Sequence, residues 1–264
     1  MLFSNKHIDM ALKTKYVLGV DFGGSGIKGA IVNTKTGKFE DARFRIPTPI
    51  PATPDMVAET IKQIQNHFSW KGAIGVGFPA VVQNGIALTA SNIDKSWIGT
   101  NAERLFFQYT GCPVKVINDA DAAGIAEMKY GAGYKNKGVV ILVTVGTGIG
   151  TVAYTMGKLL PNTELGHLIL PNGIEAERYA SDAVRQKEGL SWEEWGTRFN
   201  EYLLYLEKLF SPDLFIIGGG VSKSDDKYFP SFTVKSKVVP AQLLNNAGIV
   251  GAAIAAKNAF KEKD

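Results

Sequence analysis

Several carboxylates and one histidine stand where they could act on a substrate. Asn118-Asp119-Ala120-Asp121 falls where the apolar run Val114–Ile117 gives way to the alanine-rich segment Ala120–Tyr130, which stops at Gly131. A carboxylate at such a strand–helix junction can orient and deprotonate an attacking alcohol, as phosphoryl transfer to a hydroxyl requires. The plain alternative makes Asp119 a helix N-cap. Asp121, two residues on, points elsewhere if the segment is helical. Glu164-Leu165-Gly166-His167 sets a carboxylate and an imidazole three residues apart. Zinc is a poor reading, because the chain has three histidines and the isolated Cys112. Hydrogen bonding to neighbouring hydroxyls of a polyol fits better, and an exposed turn is the plain alternative. Glu175 and Glu177 follow on the first turn of a helix, where the helix dipole accounts for them.

Three glycine-rich segments invite a phosphate. Gly24-Ser25-Gly26-Ile27-Lys28-Gly29 matches the dinucleotide fingerprint G-x-G-x-x-G, but that motif needs a helix directly after the glycines. Ile27–Val32 is short and strand-like, and a turn at Gly37 closes it. A Walker A loop fails as well, since Gly29 follows Lys28. What remains is a glycine hairpin whose amides can face a phosphate chain, with Ser25 and Lys28 beside it. Asp21 could hold Mg²⁺ directly or through water. Gly146-Thr147-Gly148-Ile149-Gly150 is a second such unit, with the hydroxyls of Thr144 and Thr147. Either alone reads as a tight turn. Two, facing each other across a cleft, could clamp a polyanion. Gly218-Gly219-Gly220, after an apolar strand, would let a nucleotide or another backbone approach closely.

The elements that must position these residues follow from periodicity and punctuation. Tyr16–Asp21, Ile27–Val32 and Lys38–Ile46 read as three antiparallel strands. After the prolines at 47, 49, 51 and 54, Thr53 caps a helix running to about Phe68. A strand is expected at Ala73–Phe78, a helix at 100–110, a strand at Val114–Ile117 and a helix at Ala120–Tyr130. Strands at Val139–Val145 and Ile149–Tyr154 follow, then helices at about 175–188 and 192–210. A strand at Leu214–Ile217 and a helix at Ile249–Phe260 close the chain. Strand–glycine turn–strand occurs twice, which suggests a duplicated pair of α/β lobes with a cleft between them. The expected division is a loose leader at 1–15, an N-terminal lobe at 16–118 and a C-terminal lobe at 119–247. The last helix, 248–260, is expected to pack back on the first lobe.

Composition narrows the class. With 264 residues, 45% hydrophobic and 20% charged, the chain has ample core material for two modest domains. No apolar run approaches the roughly 20 residues of a membrane span, and the opening lacks a signal-peptide core. One cysteine excludes an intramolecular disulfide, and the expected setting is a reduced, cytoplasmic one. A net charge of +4 suits an anionic substrate and falls short of a nucleic-acid coat.

Taken together, the motifs resemble the sugar kinases of the actin/hexokinase/Hsp70-like superfamily, and within it the ROK (repressor, open reading frame, kinase) family. DFGGSGIKGA at 21–30 looks like the first phosphate motif and NDADAAGIAE at 118–127 the first connecting motif. VTVGTGIGTVA at 143–153 resembles the second phosphate motif, IIGGGVS at 216–222 the adenosine motif, and GIVGAAIAA at 248–256 the second connecting motif. SNIDKSWIGTNA at 91–102 and PNTELGH at 161–167 are similar to the branch of bacterial polyphosphate glucokinases. The resemblance implies a two-lobed ribonuclease H-like α/β fold with a central cleft. It implies Asp119 as catalytic base, with Asn92, Asn118, Asp119, Glu164, His167 and Glu177 binding glucose. Glu177 is preferred to Glu175 because Glu-Arg-Tyr-Ala-Ser at 177–181 resembles the family's Glu-Ala-Tyr-Ala-Ser. The phosphate donor would meet Gly23, Gly24, Ser25, Gly26, Lys28, Thr144, Gly146, Thr147, Gly148, Gly218, Gly219 and Gly220, and Mg²⁺ would sit at Asp21.

Most of the family carries a cysteine-rich zinc motif after the Glu-x-Gly-His segment. Leu168–Ile174 has no cysteine, so no zinc is expected and His167 is left for the sugar. The implied reaction moves the terminal phosphoryl group of polyphosphate, with ATP as a second candidate donor, to the 6-hydroxyl of glucose. An ATP-dependent hexokinase of the same family is the near alternative, and a catalytically idle sugar sensor the distant one. A cytoplasmic homodimer without nucleic-acid or membrane partners is expected. Lys28, Lys95, Lys129, Lys135 and Lys137 are candidates for a basic track that a polymeric donor would need.

Overall fold

A computed structural model describes residues 15–91 and 93–261. The chain divides into two compact units, one running up to Ala126 and resuming at Asn246, the other comprising Glu127–Asn245. The expected boundary after Asn118 falls at the start of the helix Asp119–Tyr130, whereas the division lies inside that helix.

The first unit holds β1 (Tyr16–Gly23), β2 (Gly26–Asn33), β3 (Phe44–Ile46), β4 (Ile74–Phe78), the small hairpin β5 (Val82–Gln83) and β6 (Ile86–Ala87), and β7 (Val114–Asn118). Its main sheet has the order β3-β2-β1-β4-β7. β1, β2 and β3 are antiparallel, and β4 and β7 run parallel to β1. The third strand is much shorter than Lys38–Ile46: only Phe44–Ile46 pairs with β2, while Phe39 makes an isolated bridge to Val32. Asp41, Ala42 and Arg43 between them are exposed, with no large apolar side chain to anchor a ladder.

Alternation along β1 and β4 fixes which side each face serves. Leu18, Val20, Phe22, Ile74, Val76 and Phe78 enter one core, with Val57, Ala58, Ile61 and Ile64 of the helix Pro54–His67 and Phe106 of the helix Ala102–Thr110. Pro54 opens the first of these helices as its fixed φ favours. Asn101 caps the second by accepting the Arg104 N–H at 2.8 Å, and Gly111 ends it at φ +66°. The opposite face of the sheet presents Gly19 and Gly75, where the helix Ala247–Ala259 lies so close that a Cβ would meet the carbonyls of Ile249 and Ala252. Backbone-to-backbone packing of this kind leaves glycine as the residue that fits.

The second unit repeats the strand order. Its sheet is β10-β9-β8-β11-β12, built from β8 (Val140–Val145), β9 (Ile149–Thr155), β10 (Lys158–Leu160), β11 (Leu214–Gly219) and β12 (Lys237–Pro240). Again three antiparallel strands precede two parallel ones. The expected helix at 175–188 is two helices, Ala176–Ala180 and Asp182–Glu188, separated by Ser181, whose hydroxyl caps the second. Trp192–Phe210 starts with a capping box between Ser191 and Glu194. Its buried face, Trp195, Phe199, Tyr202, Leu203 and Leu206, packs with Ile141, Val143, Phe215 and Ile217 of the sheet. Among the described residues no helix is long and apolar enough to cross a membrane.

Candidate active site

The Asp119 corner answers the capping question. Asn118, the buried last residue of β7, accepts the N–H groups of Ala120 at 2.8 Å and Asp121 at 3.1 Å through Oδ1, and its Nδ2 donates to the Ala80 carbonyl at 3.2 Å. That is the capping role the sequence offered to Asp119. Asp119 also accepts the Ala120 N–H, through Oδ1 at 2.8 Å, and is partly exposed. Gly77 on the neighbouring strand leaves the corner uncrowded: a Cβ there would lie in ordinary contact with Asp119 and Ala122.

The first hairpin lies at the same edge of this sheet. β7 and β4 run parallel to β1, so Asn118 and Gly23 both mark C-terminal strand ends. Gly23 pairs with Gly26, leaving Gly24 and Ser25 as a two-residue turn. Asp21, Lys28 and Arg45 stand opposite one another on β1, β2 and β3. Lys28 Nζ reaches Asp21 Oδ2 at 3.4 Å. Burial pushes the Asp21 carboxyl up, with Lys28 and then Arg43 pulling it back down. Arg45 donates to the Ser25 carbonyl at 2.5 Å and covers Gly26, where a Cβ would collide with the guanidinium. Thr48 donates to the Gly23 carbonyl at 2.6 Å. Arg43, Arg45 and Thr48 were not singled out in the sequence, although the charge alternation of Arg43-Phe44-Arg45 was there to be read.

In the second unit, parallel β8 and β11 end side by side, with Gly218 opposite Thr144 and Gly219 opposite Val145. Gly146–Gly148 and Gly218–Gly220 therefore share one sheet edge. Gly219 has φ +82° and sits against the Val145 backbone, so no side chain fits there. Gly146 and Gly220 face open space, as an anion-binding turn requires. Thr144 Oγ1 donates to the Gly150 carbonyl at 3.3 Å, and Thr147 is exposed at the tip.

Glu177 braces this turn. Its Oε2 accepts the Ile149 N–H at 2.8 Å and fills the space that a Cβ on Gly148 would need. Glu164 Oε2 lies 3.6 Å from His167 Nε2, while His167 Nδ1 is hydrogen-bonded to Glu175. Arg178 Nε holds the other Glu175 oxygen at 2.9 Å. Burial raises the Glu164 carboxyl, His167 lowers it, and Glu177 raises it further. His167 is raised chiefly by its bond to Glu175, against the opposing effect of burial. Glu175, passed over in favour of Glu177, is thus a direct partner of His167. Pro171-Asn172-Gly173 was the available signal: it is a turn that folds the chain back and bridges Ile169 to Glu175.

Of the other expected residues, Asn92 lies outside the described residues. The five lysines do not belong to one unit: Lys28 and Lys95 are in the first, Lys129, Lys135 and Lys137 in the second. Lys95 donates to the Ala90 carbonyl, and Lys129 and Lys135 lie over the rings of Tyr130 and Tyr134. Among the described residues no group of three or more His, Cys, Asp and Glu side chains could hold a metal. Mg²⁺ needs no such cage, since one or two carboxylates plus phosphate oxygens and water suffice. Asp21 fits that demand, its carboxylate resting beside Gly248, where a Cβ would crowd it.

The ROK family model matches residues 17–180. The polyphosphate glucokinase of Mycobacterium tuberculosis is 48% identical over 246 residues, 93% of this chain and 92% of its own length. The solved structure of the inorganic polyphosphate/ATP-glucomannokinase from Arthrobacter sp. strain KM is 47% identical with a TM-score of 0.89, covering 93% of this chain and all of that one. A ROK family glucokinase from Streptomyces griseus, solved with glucose and AMPPNP, is 27% identical with a TM-score of 0.79 over 92% and 99% of the two chains. These kinases have the actin/hexokinase-like fold, and the chain belongs to the ROK family.

Proposed function

We propose that the chain is a phosphotransferase that moves the terminal phosphoryl group of inorganic polyphosphate to the 6-hydroxyl of glucose. One observation carries the reading: a partly exposed carboxylate, Asp119, which shares the capping of its helix with Asn118, sits at the same sheet edge as the Gly23–Gly26 turn. The base and a phosphate-facing turn are both needed for in-line attack by an alcohol. The extensive identity to polyphosphate glucokinases of Mycobacterium supplies the substrates.

In this reading Asp119 accepts the hydroxyl proton as the oxygen attacks, and Asn118 holds the corner rigid while offering its remaining Nδ2 hydrogen to the sugar. Glu164, His167 and Glu177 bind further hydroxyls, and Asn92 belongs to the same set. The amides of Gly23–Gly26 and Gly146–Gly148, with Lys28, Ser25, Thr144 and Thr147, hold the phosphate chain and stabilise the charge on the group in flight. Mg²⁺ held by Asp21, directly or through water, would screen the donor oxygens. The two units would act as the two lobes of a kinase, in the cytoplasm and as a homodimer.

ATP is the second donor to consider, because the Gly218–Gly220 segment at the end of β11 suits a nucleotide and the Arthrobacter relative is named for both donors. Coupled initial rates with polyphosphate and with ATP, each against glucose and mannose, test the assignment. Glucose 6-phosphate from polyphosphate is the expected result. Turnover with ATP alone would leave an ATP-dependent hexokinase, and no turnover with either donor would leave a sugar sensor.

A further inference from the structure

His167 has a different neighbour on each side of its ring. Nδ1 is hydrogen-bonded to Glu175, and Nε2 lies 3.6 Å from Glu164 Oε2. Glu175 is held in turn, since Arg178 Nε engages its second oxygen at 2.9 Å. Its side chain is only 21% exposed, against 44% for His167 and Glu164. The arrangement is therefore a chain, Arg178–Glu175–His167–Glu164, whose inner members are fixed and whose outer face reaches solvent. A histidine bound at one nitrogen presents the other in a defined tautomer and direction.

We propose that Glu175 is a positioning residue for sugar binding: it accepts a hydrogen bond from the Nδ1–H of His167 and so fixes Nε2 beside the Glu164 carboxylate. This rests on the reading that His167 and Glu164 contact the sugar. With Nδ1 engaged, Nε2 is the nitrogen left to meet a hydroxyl, and Glu164 Oε2 is an acceptor next to it. When the ring is charged, the Nε2–H donor beside the Glu164 acceptor matches two adjacent hydroxyls of a hexose, each of which can give one hydrogen bond and receive another. Glu175 itself touches no substrate in this scheme.

The groups facing His167 are Glu164, Glu175 and Glu177, with Arg178 behind Glu175. All three carboxylates favour the charged imidazolium, and burial opposes it. The sign follows: the charged ring, with Nε2–H as donor, is present below the raised pKa and is lost as pH rises through it. Sugar binding should weaken over that window. Removing the Glu175 charge lets the ring lose its proton at lower pH, so the weakening begins earlier.

The test uses Glu175→Gln, which keeps an acceptor oxygen but removes the charge, and Glu175→Asp, which keeps the charge on a shorter arm. Glu175→Gln should raise KM for glucose about tenfold near neutral pH, with kcat within about threefold, which is about 1.4 kcal/mol of ground-state binding. Its KM–pH profile should move to lower pH, and Glu175→Asp should restore the profile's position. The ring is observed independently by nitrogen-15 NMR of the wild-type enzyme, where His167 must be told apart from His7 and His67. Its Nδ1 should stay protonated, and the ring should titrate above the ordinary histidine range. A Glu175→Gln enzyme with unchanged KM and profile overturns the proposal. If that variant does not fold, wild-type His167 titrating at or below the ordinary range overturns it instead. His167→Ala separates the two layers. If it leaves KM for glucose unchanged, the sugar-site reading fails first; if it raises KM while Glu175→Gln does nothing, only the role of Glu175 fails.

Discussion

Asn118 and Asp119 share two jobs that the sequence offered to Asp119. Asn118 Oδ1 takes two backbone N–H groups and Asp119 shares one of them, so the larger part of the cap rests on Asn118, and in the proposed reading stability and catalysis weigh differently at the two positions. Asp119→Asn should fold with near wild-type thermal stability and bind glucose, yet lose about 10²–10⁴-fold in kcat. Asn118→Ala should lose about 1 kcal/mol or more, because the cap and the bond to Ala80 go together. Calorimetry and initial rates on both variants check the division, and near wild-type kcat in a folded Asp119→Asn would leave that carboxylate without a role. Residue identity marked Asp119, Glu164 and His167 as candidates in the sequence. What was hidden was pairing: that Glu175 meets His167, and that Arg45 covers the Gly23–Gly26 turn, depends on a turn at Asn172–Gly173 and on the β2–β3 register.

Glycines at element ends and in element interiors answer to different demands, so they should fail differently. Gly146 faces open space and has no unusual φ, so Gly146→Ala should fold normally. In the proposed reading its methyl group would stand where the donor approaches the amides, and kcat/KM for the donor should fall at least about tenfold, since losing one such contact costs about 10²–10³ in known cases. Gly251→Ala is the opposite case. Alanine's helix propensity alone would add up to about 1 kcal/mol. The new methyl would run into the Ala122 carbonyl, which is backbone and cannot swing aside. Overpacking of about 1–3 kcal/mol should win, and denaturant unfolding reads the sign directly. Most elements were legible from period and punctuation. Among the exceptions, β10 and β12 are short edge strands with partly exposed residues, and the expected helix at 175–188 breaks because Ser181 makes a better cap than an interior residue.

At the scale of the whole molecule, the two sheets share one strand order, and each carries a glycine turn at a strand end. The repeated strand–glycine turn–strand pattern was visible in the sequence. The point of division was not, because the helix Asp119–Tyr130 continues through it without any break in composition. Glu127 lies just beyond that point, buried, and accepts N–H groups from Ala132 at 2.9 Å and Leu243 at 2.7 Å. Mg²⁺ removal by a chelator should abolish turnover and readdition restore it, while a zinc-selective chelator should change nothing.

A polymeric donor carries about one charge per phosphate unit, and in the proposed reading Lys28, Arg43 and Arg45 near the first hairpin would meet it. Phosphate contacts release counterions, so affinity for a polyanion should fall steeply with salt. Glucose is neutral and should be indifferent. The decisive measurement is the initial rate of glucose 6-phosphate formation with long-chain polyphosphate, short-chain polyphosphate and ATP, between roughly 50 and 200 mM salt. The expected result is turnover with polyphosphate, with KM for the long chain rising most steeply, KM for ATP less so, and KM for glucose barely at all. No glucose 6-phosphate from polyphosphate at any salt concentration would contradict the account.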